Sequence, residues 1–178
     1  MFTQTKALPK VLTFSEAKYY IFSAVFVGLA VFVPWLAHQF NVAGPKFVPM
    51  HFFVLISGLL FGWRTGIIVG AASPLLSYGI THFPPMIILP ETMLELAVYG
   101  FAAGLIREKN FNIFVSLLGA MVLGRIVRIF WIFAFEQPAD PLKFVQISWP
   151  GIVLQIALIP VIIYFLQKLF FVKNGKRI

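Results

Sequence analysis

Four ionisable side chains fall inside otherwise apolar stretches: Glu91, Glu95, Arg125 and Arg128. Each costs about 2.5–3.5 kcal/mol at the centre of a membrane helix, so such groups face the bundle interior and pair. Glu91 and Glu95 are four residues apart, and Arg125 and Arg128 three apart, so each pair shares one helix face. Two acceptor-only carboxylates and two planar donors can hold each other, or hold a solute with polar edges. The purely structural readings are specific too. Glu91 suits an exposed first helical turn, Glu95 with Arg125 suits an ion pair, and Arg128 could snorkel outward. Which arginine Glu95 meets is open at this point.

The remaining polar candidates are His51, Tyr78 and Gln155, with Trp131 and Trp149 as aromatic surfaces. His51 also suits a bond near the membrane interface, and Trp149 an interfacial belt. Chemistry beyond binding finds no support. The sequence has no phosphate-binding loop, no dinucleotide fingerprint and no Gly-x-Ser-x-Gly elbow around Ser73 or Ser77. His38, His51 and His82 lack metal-ligand spacing, and cysteine is missing altogether. No enzyme, no metal and no cofactor is expected.

The elements that must position these residues are membrane spans. The chain is 60% hydrophobic and 11% charged, against about 25% charged in soluble domains. Apolar segments lie at 19–39, 48–63, 65–81, 87–106, 111–135 and 149–168. The expected fold is therefore all-α: one polytopic six-helix bundle over 1–178, with a basic arm at 1–18 and a basic tail at 169–178. Spans two and three are short and joined by the tight turn Gly62-Trp63-Arg64-Thr65-Gly66; a re-entrant hairpin is the alternative. The first apolar run has spanning length and no small-x-small cleavage site after it, so a signal peptide is not expected.

Basic residues set the orientation. Lys6, Lys10, Lys18, Arg64, Arg107, Lys109, Lys168, Lys173, Lys176 and Arg177 share one side of a six-span chain, and only Lys46 and Lys143 lie on the other. The positive-inside rule places both termini in the cytoplasm. A five- or seven-span chain would scatter this asymmetry. The net charge of +8 is thus a topology signal, and no nucleic-acid partner is expected.

Depth follows from about 1.5 Å per residue: Glu95 lies roughly 8 Å below Pro90, Arg128 roughly 12 Å and Arg125 roughly 16 Å below Glu136, and Gln155 roughly 9 Å below Trp149. Polar side chains therefore gather in the outer half, as in a cup that opens outward. Small residues recur four apart at Ala24/Gly28, Gly58/Gly62, Gly66/Gly70 and Ala120/Gly124, a spacing that lets helices approach closely in lipid. Most of these faces should pack within the bundle, and one could dock a partner. Pro34, Pro74 and Pro160 should kink their spans.

The run from Pro49-Met50-His51 to Leu60-Phe61-Gly62-Trp63-Arg64-Thr65-Gly66, continuing Ile67-Ile68-Val69-Gly70-Ala71-Ala72-Ser73-Pro74, resembles helices two and three of a known family. That family is the substrate-binding S components of energy-coupling factor (ECF) vitamin transporters. The block Glu95-Leu96-Ala97-Val98-Tyr99-Gly100 to Gly104-Leu105-Ile106 is similar to it too. Trp63 stands where many members have Pro, and Ser73-Pro74 where some have Asp. The resemblance implies a six-helix subunit that captures a small vitamin or precursor. It implies as partners a transmembrane coupling protein and two cytoplasmic ATPases, in a prokaryotic cell membrane. It further implies docking through Ala24 and Gly28, and a gating first loop at 41–48 that includes Gly44, Pro45 and Lys46. In this reading Arg125 and Arg128 meet an anionic or carbonyl group. Glu95 and Gln155 fix polar edges, and Trp131 or Trp149 stacks on a ring, with His51 and Tyr78 completing the site. Two other classes stand beside it: an assembly protein whose polar groups only pair with each other, and an autonomous secondary carrier with Glu95 as its ion-coupled carboxylate.

Overall fold

The computed structural model describes residues 17–40, 46–136 and 140–172. The basic arm up to residue 16, the loop positions Gly44 and Pro45, and the tail from 173 lie outside the described residues. The described chain forms α1 (Ala17–Gln39), α2 (Pro49–Phe61), α3 (Trp63–Thr81), a 3-10 turn (Met86–Ile88), α4 (Leu89–Glu108), α5 (Ile113–Ala134) and α6 (Pro141–Val172). No strand occurs among the described residues.

Among the described residues, four segments are long and apolar enough to cross a bilayer: Tyr20–Gln39, Met86–Glu108, Ile113–Ala134 and Leu142–Leu166. Their outward faces carry large apolar side chains such as Phe32, Leu118, Phe130, Phe133, Val153 and Phe165. So much exposed apolar surface is what lipid contact requires and water disfavours. The 13-residue α2 reaches about 20 Å, short of a bilayer core of about 30 Å. It is buried nearly all round, from His51 through Val54–Phe61, which is the pattern of a core helix. The sixth helix starts at Pro141, not at residue 149. Asp140 Oδ1 accepts from the backbone N–H of Leu142 and Lys143, and a proline at the first helical position needs no partner.

α4 is the hub, packed on α2, α3 and α5. Glycine makes this possible. A methyl group built on Gly66 would fall on the Gly100 carbonyl, one on Gly70 on Leu96 O, and one on Gly104 on the backbone of Trp63. The backbones of α3 and α4 therefore touch, which in lipid maximises dispersion contact. The turn between α2 and α3 depends on Gly62, whose φ of 91° suits a residue without Cβ. Glu108 closes this turn by accepting from Trp63 N at 3.1 Å. By contrast, a methyl group on Gly28 meets nothing within 4 Å. Gly28 and Ala24 line an apolar groove of about 680 Å³ between α1 and α3, with Val27, Ile68 and Ala72.

Gly100→Val should destabilise the detergent-purified protein by about 3 kcal/mol or more, because a backbone carbonyl cannot yield as a side chain can. Gly28→Val should stay within about 0.5 kcal/mol of the parent. Thermal unfolding of both variants checks the contrast, and equal shifts would contradict the packing described.

Candidate functional site: a buried ion network

α5 buries Leu117, Met121, Gly124, Arg128 and Ile132 on one stripe. The helical repeat thus turns Arg128 into the bundle and leaves Arg125 on its flank. α4 buries Glu91 and Glu95 one turn apart. The two faces meet near the end of the bundle where α2 and α4 begin.

Arg128 is the bridge. Its Nη1 donates to Glu95 Oε2 at 2.8 Å and its Nη2 to Glu91 Oε1 at 2.6 Å. One planar guanidinium thus spans two carboxylates, a geometry that Lys cannot reproduce. Arg125 Nη1 lies 3.1 Å from Glu95 Oε1, and its Nη2 donates to Ser148 Oγ at 3.2 Å. Glu95 therefore pairs with both arginines. From α2, His51 Nε2 stands 3.8 Å from Glu95 Oε1, and the ring sits edge-on to Tyr99 at 5.1 Å. From α6, the Phe144 ring covers both guanidiniums, with Cζ of Arg128 at 3.6 Å and of Arg125 at 4.8 Å from its centroid. Charge over an aromatic face is favourable, more so away from water.

The network is buried and charge-balanced. Glu95 is 0% and Glu91 1% exposed, and Arg128 8%. Two guanidiniums face two carboxylates. Hydrogen bonding is less complete than charge pairing. Buried atoms without a hydrogen-bond or ion-pair partner include Arg125 Nε, Arg128 Nε, Glu91 Oε2 and His51 Nδ1. Native interiors leave few such atoms unpaired, so this cluster offers donors and acceptors side by side.

The other sequence candidates have different surroundings. Gln155 is buried and donates to the Val48 carbonyl at 3.5 Å, and Gly151 N–H donates to Lys46 O at 3.0 Å. These bonds fasten the end of the first loop to α6, with a methyl group on Gly151 excluded by Phe47. Lys46 is itself exposed. Tyr78 meets His82 edge-on at 5.9 Å, and Trp131 packs on Phe135 at 4.1 Å. Trp149 is 61% exposed, as a belt residue would be. Conversely, the early start of α6 adds Phe144 and Ser148. Glu91 is not an exposed first-turn carboxylate but half of the clamp on Arg128. Its spacing from Glu95 was the available signal.

Residues 18–171 match the family described as ECF transporter, substrate-specific component. The chain belongs to this family. It is therefore a multi-pass membrane protein and the substrate-binding subunit of an ECF transporter. Family membership implies a transported substrate, and membrane and ATPase subunits as partners. S components bind for transport and are not enzymes. No curated protein and no solved structure matches the chain significantly.

Arg128→Met should destabilise the S component by about 3–5 kcal/mol, because it leaves Glu91 buried without its cation and Glu95 with Arg125 alone. Adding Glu91→Gln should recover part of that loss, as it removes the stranded charge. Thermal unfolding of single and double variants reads the difference, and a further loss in the double variant would contradict the charge balance.

Proposed function

We propose that this S component captures a small water-soluble vitamin or related precursor with high affinity at the ion network. In this reading the six helices all belong to one bundle with both termini inside. The network then opens to the exterior under the loop that ends at Lys46–Val48. The observation that carries the proposal is the set of buried donors and acceptors without partners, contributed by α2, α4 and α5. A network that served only assembly would be expected to satisfy its own hydrogen bonds. Solute entry would separate parts of the present pairs and supply the missing partners. Because Gln155 and Gly151 hold the loop end on α6, loop opening and access to the network would be coupled.

The groove that holds Ala24 and Gly28 is assigned to the transmembrane coupling protein, which would meet a small, apolar surface there. Two ATPases on the cytoplasmic side would power release.

The isolated subunit, without ATPases, should retain a co-purified small molecule detectable by native mass spectrometry. Arg125→Ala and Glu95→Ala should each weaken its affinity by about tenfold or more, as expected on loss of a hydrogen bond to a charged group. If no compound from a panel of B vitamins and nucleobase precursors binds and none co-purifies, the capture reading fails; if both variants bind as the parent does, the site is elsewhere. Uptake into proteoliposomes that lack ATPases would instead identify an autonomous carrier.

Gly28→Leu should leave solute binding by the isolated subunit intact. It should abolish co-purification with the coupling protein, since a bulky side chain would prevent close helix approach. Retained co-purification would move the docking face to another helix.

A further inference from the structure

The charge balance of the network restricts what it can accept. Both guanidiniums are already engaged: Arg128 by Glu91 and Glu95, and Arg125 by Glu95 and Ser148. With His51 neutral, the cluster sums to zero. A carboxylate or phosphate that enters it would place a third anion beside two buried carboxylates whose cationic partners among the described residues are these same two arginines. Like charges brought together away from water are strongly disfavoured. A positively charged solute would meet two arginines and gain no free carboxylate.

The atoms that lack hydrogen-bond partners are of both kinds. Arg125 Nε and Arg128 Nε are donors, while Glu91 Oε2 is an acceptor. His51 Nδ1 is one or the other when the ring is neutral. An edge that carries a carbonyl next to an N–H matches this set without adding charge. Phe144 covers both guanidiniums at the same place, so the edge is met by the cluster's polar atoms and not by a free ring face. We infer that the substrate is a net-uncharged solute with an amide-like edge, such as a lactam, ureide or carboxamide on a ring, and that the network discriminates against free carboxylates and phosphates. This rests on the capture site proposed above. It narrows the sequence expectation of an anionic or carbonyl group to the carbonyl.

Pairs that differ only in charge test it. Nicotinamide against nicotinate, uracil against orotate, biotinamide against biotin, and riboflavin against its 5′-phosphate are titrated into the purified subunit. The pH is about 8, above the ordinary imidazole range, and binding is followed by calorimetry and thermal shift. In any pair that binds, the uncharged member should bind about tenfold or more tightly, a modest demand given the cost of a buried unpaired charge. Glu91→Gln, which removes one negative charge and keeps the side-chain shape, should shift the ratio toward the charged member by about tenfold. A tighter anionic member in the parent protein overturns the inference and leaves the capture reading standing. An unchanged ratio in a folded Glu91→Gln variant overturns it as well. If no member of any pair binds and no small molecule co-purifies, the capture reading itself is refuted, and this inference with it.

Discussion

The clamp of Arg128 between Glu91 and Glu95 is the interaction on which the rest of the structure depends. Three charged groups lie in the interior of an apolar bundle, and none would be stable there alone. Their mutual geometry fixes the rotation of α4 and α5 about their axes, because both carboxylates must face one guanidinium at 2.6 and 2.8 Å. Once those faces are set, His51 on α2 and Phe144 and Ser148 on α6 have defined places around them. An ion network of this kind contributes little net stability compared with an apolar core. Its presence in a small bundle is the ground for the binding role proposed for it.

The second constraint is backbone contact. α3 and α4 approach through Gly66, Gly70, Gly100 and Gly104 so closely that a single methyl group would meet main-chain atoms. This seam holds α4 from one side while the ions orient it from the other. The same residue type has the opposite use at Gly28, where open space adjoins an apolar groove. Small residues are thus divided between a closed internal seam and an open external face, and it is the open face that suits a partner helix.

Much of this was legible in the sequence, for identifiable reasons. α1, α4 and α5 follow apolar runs bounded by polar or turn residues, and their expected limits lie within two residues of those observed. Glu95, Arg125 and Arg128 stood out because charge in an apolar helix demands a partner. What escaped was pairing across helices. Sequence spacing put Glu91 on the face of Glu95, but only the rotation of α5 reveals that Arg128 reaches both. Phe144 and Ser148 precede the apolar run that begins at Trp149, so hydropathy alone does not reach them. Asp140-Pro141, a capping residue followed by a proline suited to the first turn, was the overlooked start signal. Gln155 donates to the Val48 carbonyl, a long-range contact that no local pattern encodes.

The account turns on where a solute sits. The most direct measurement is an experimental structure of the subunit purified with its bound small molecule. The account predicts solute density within hydrogen-bond distance of Arg125 and Glu91, with at least one of the present ion pairs lengthened. Density in the groove between α1 and α3, with the clamp on Arg128 intact and untouched, would contradict it.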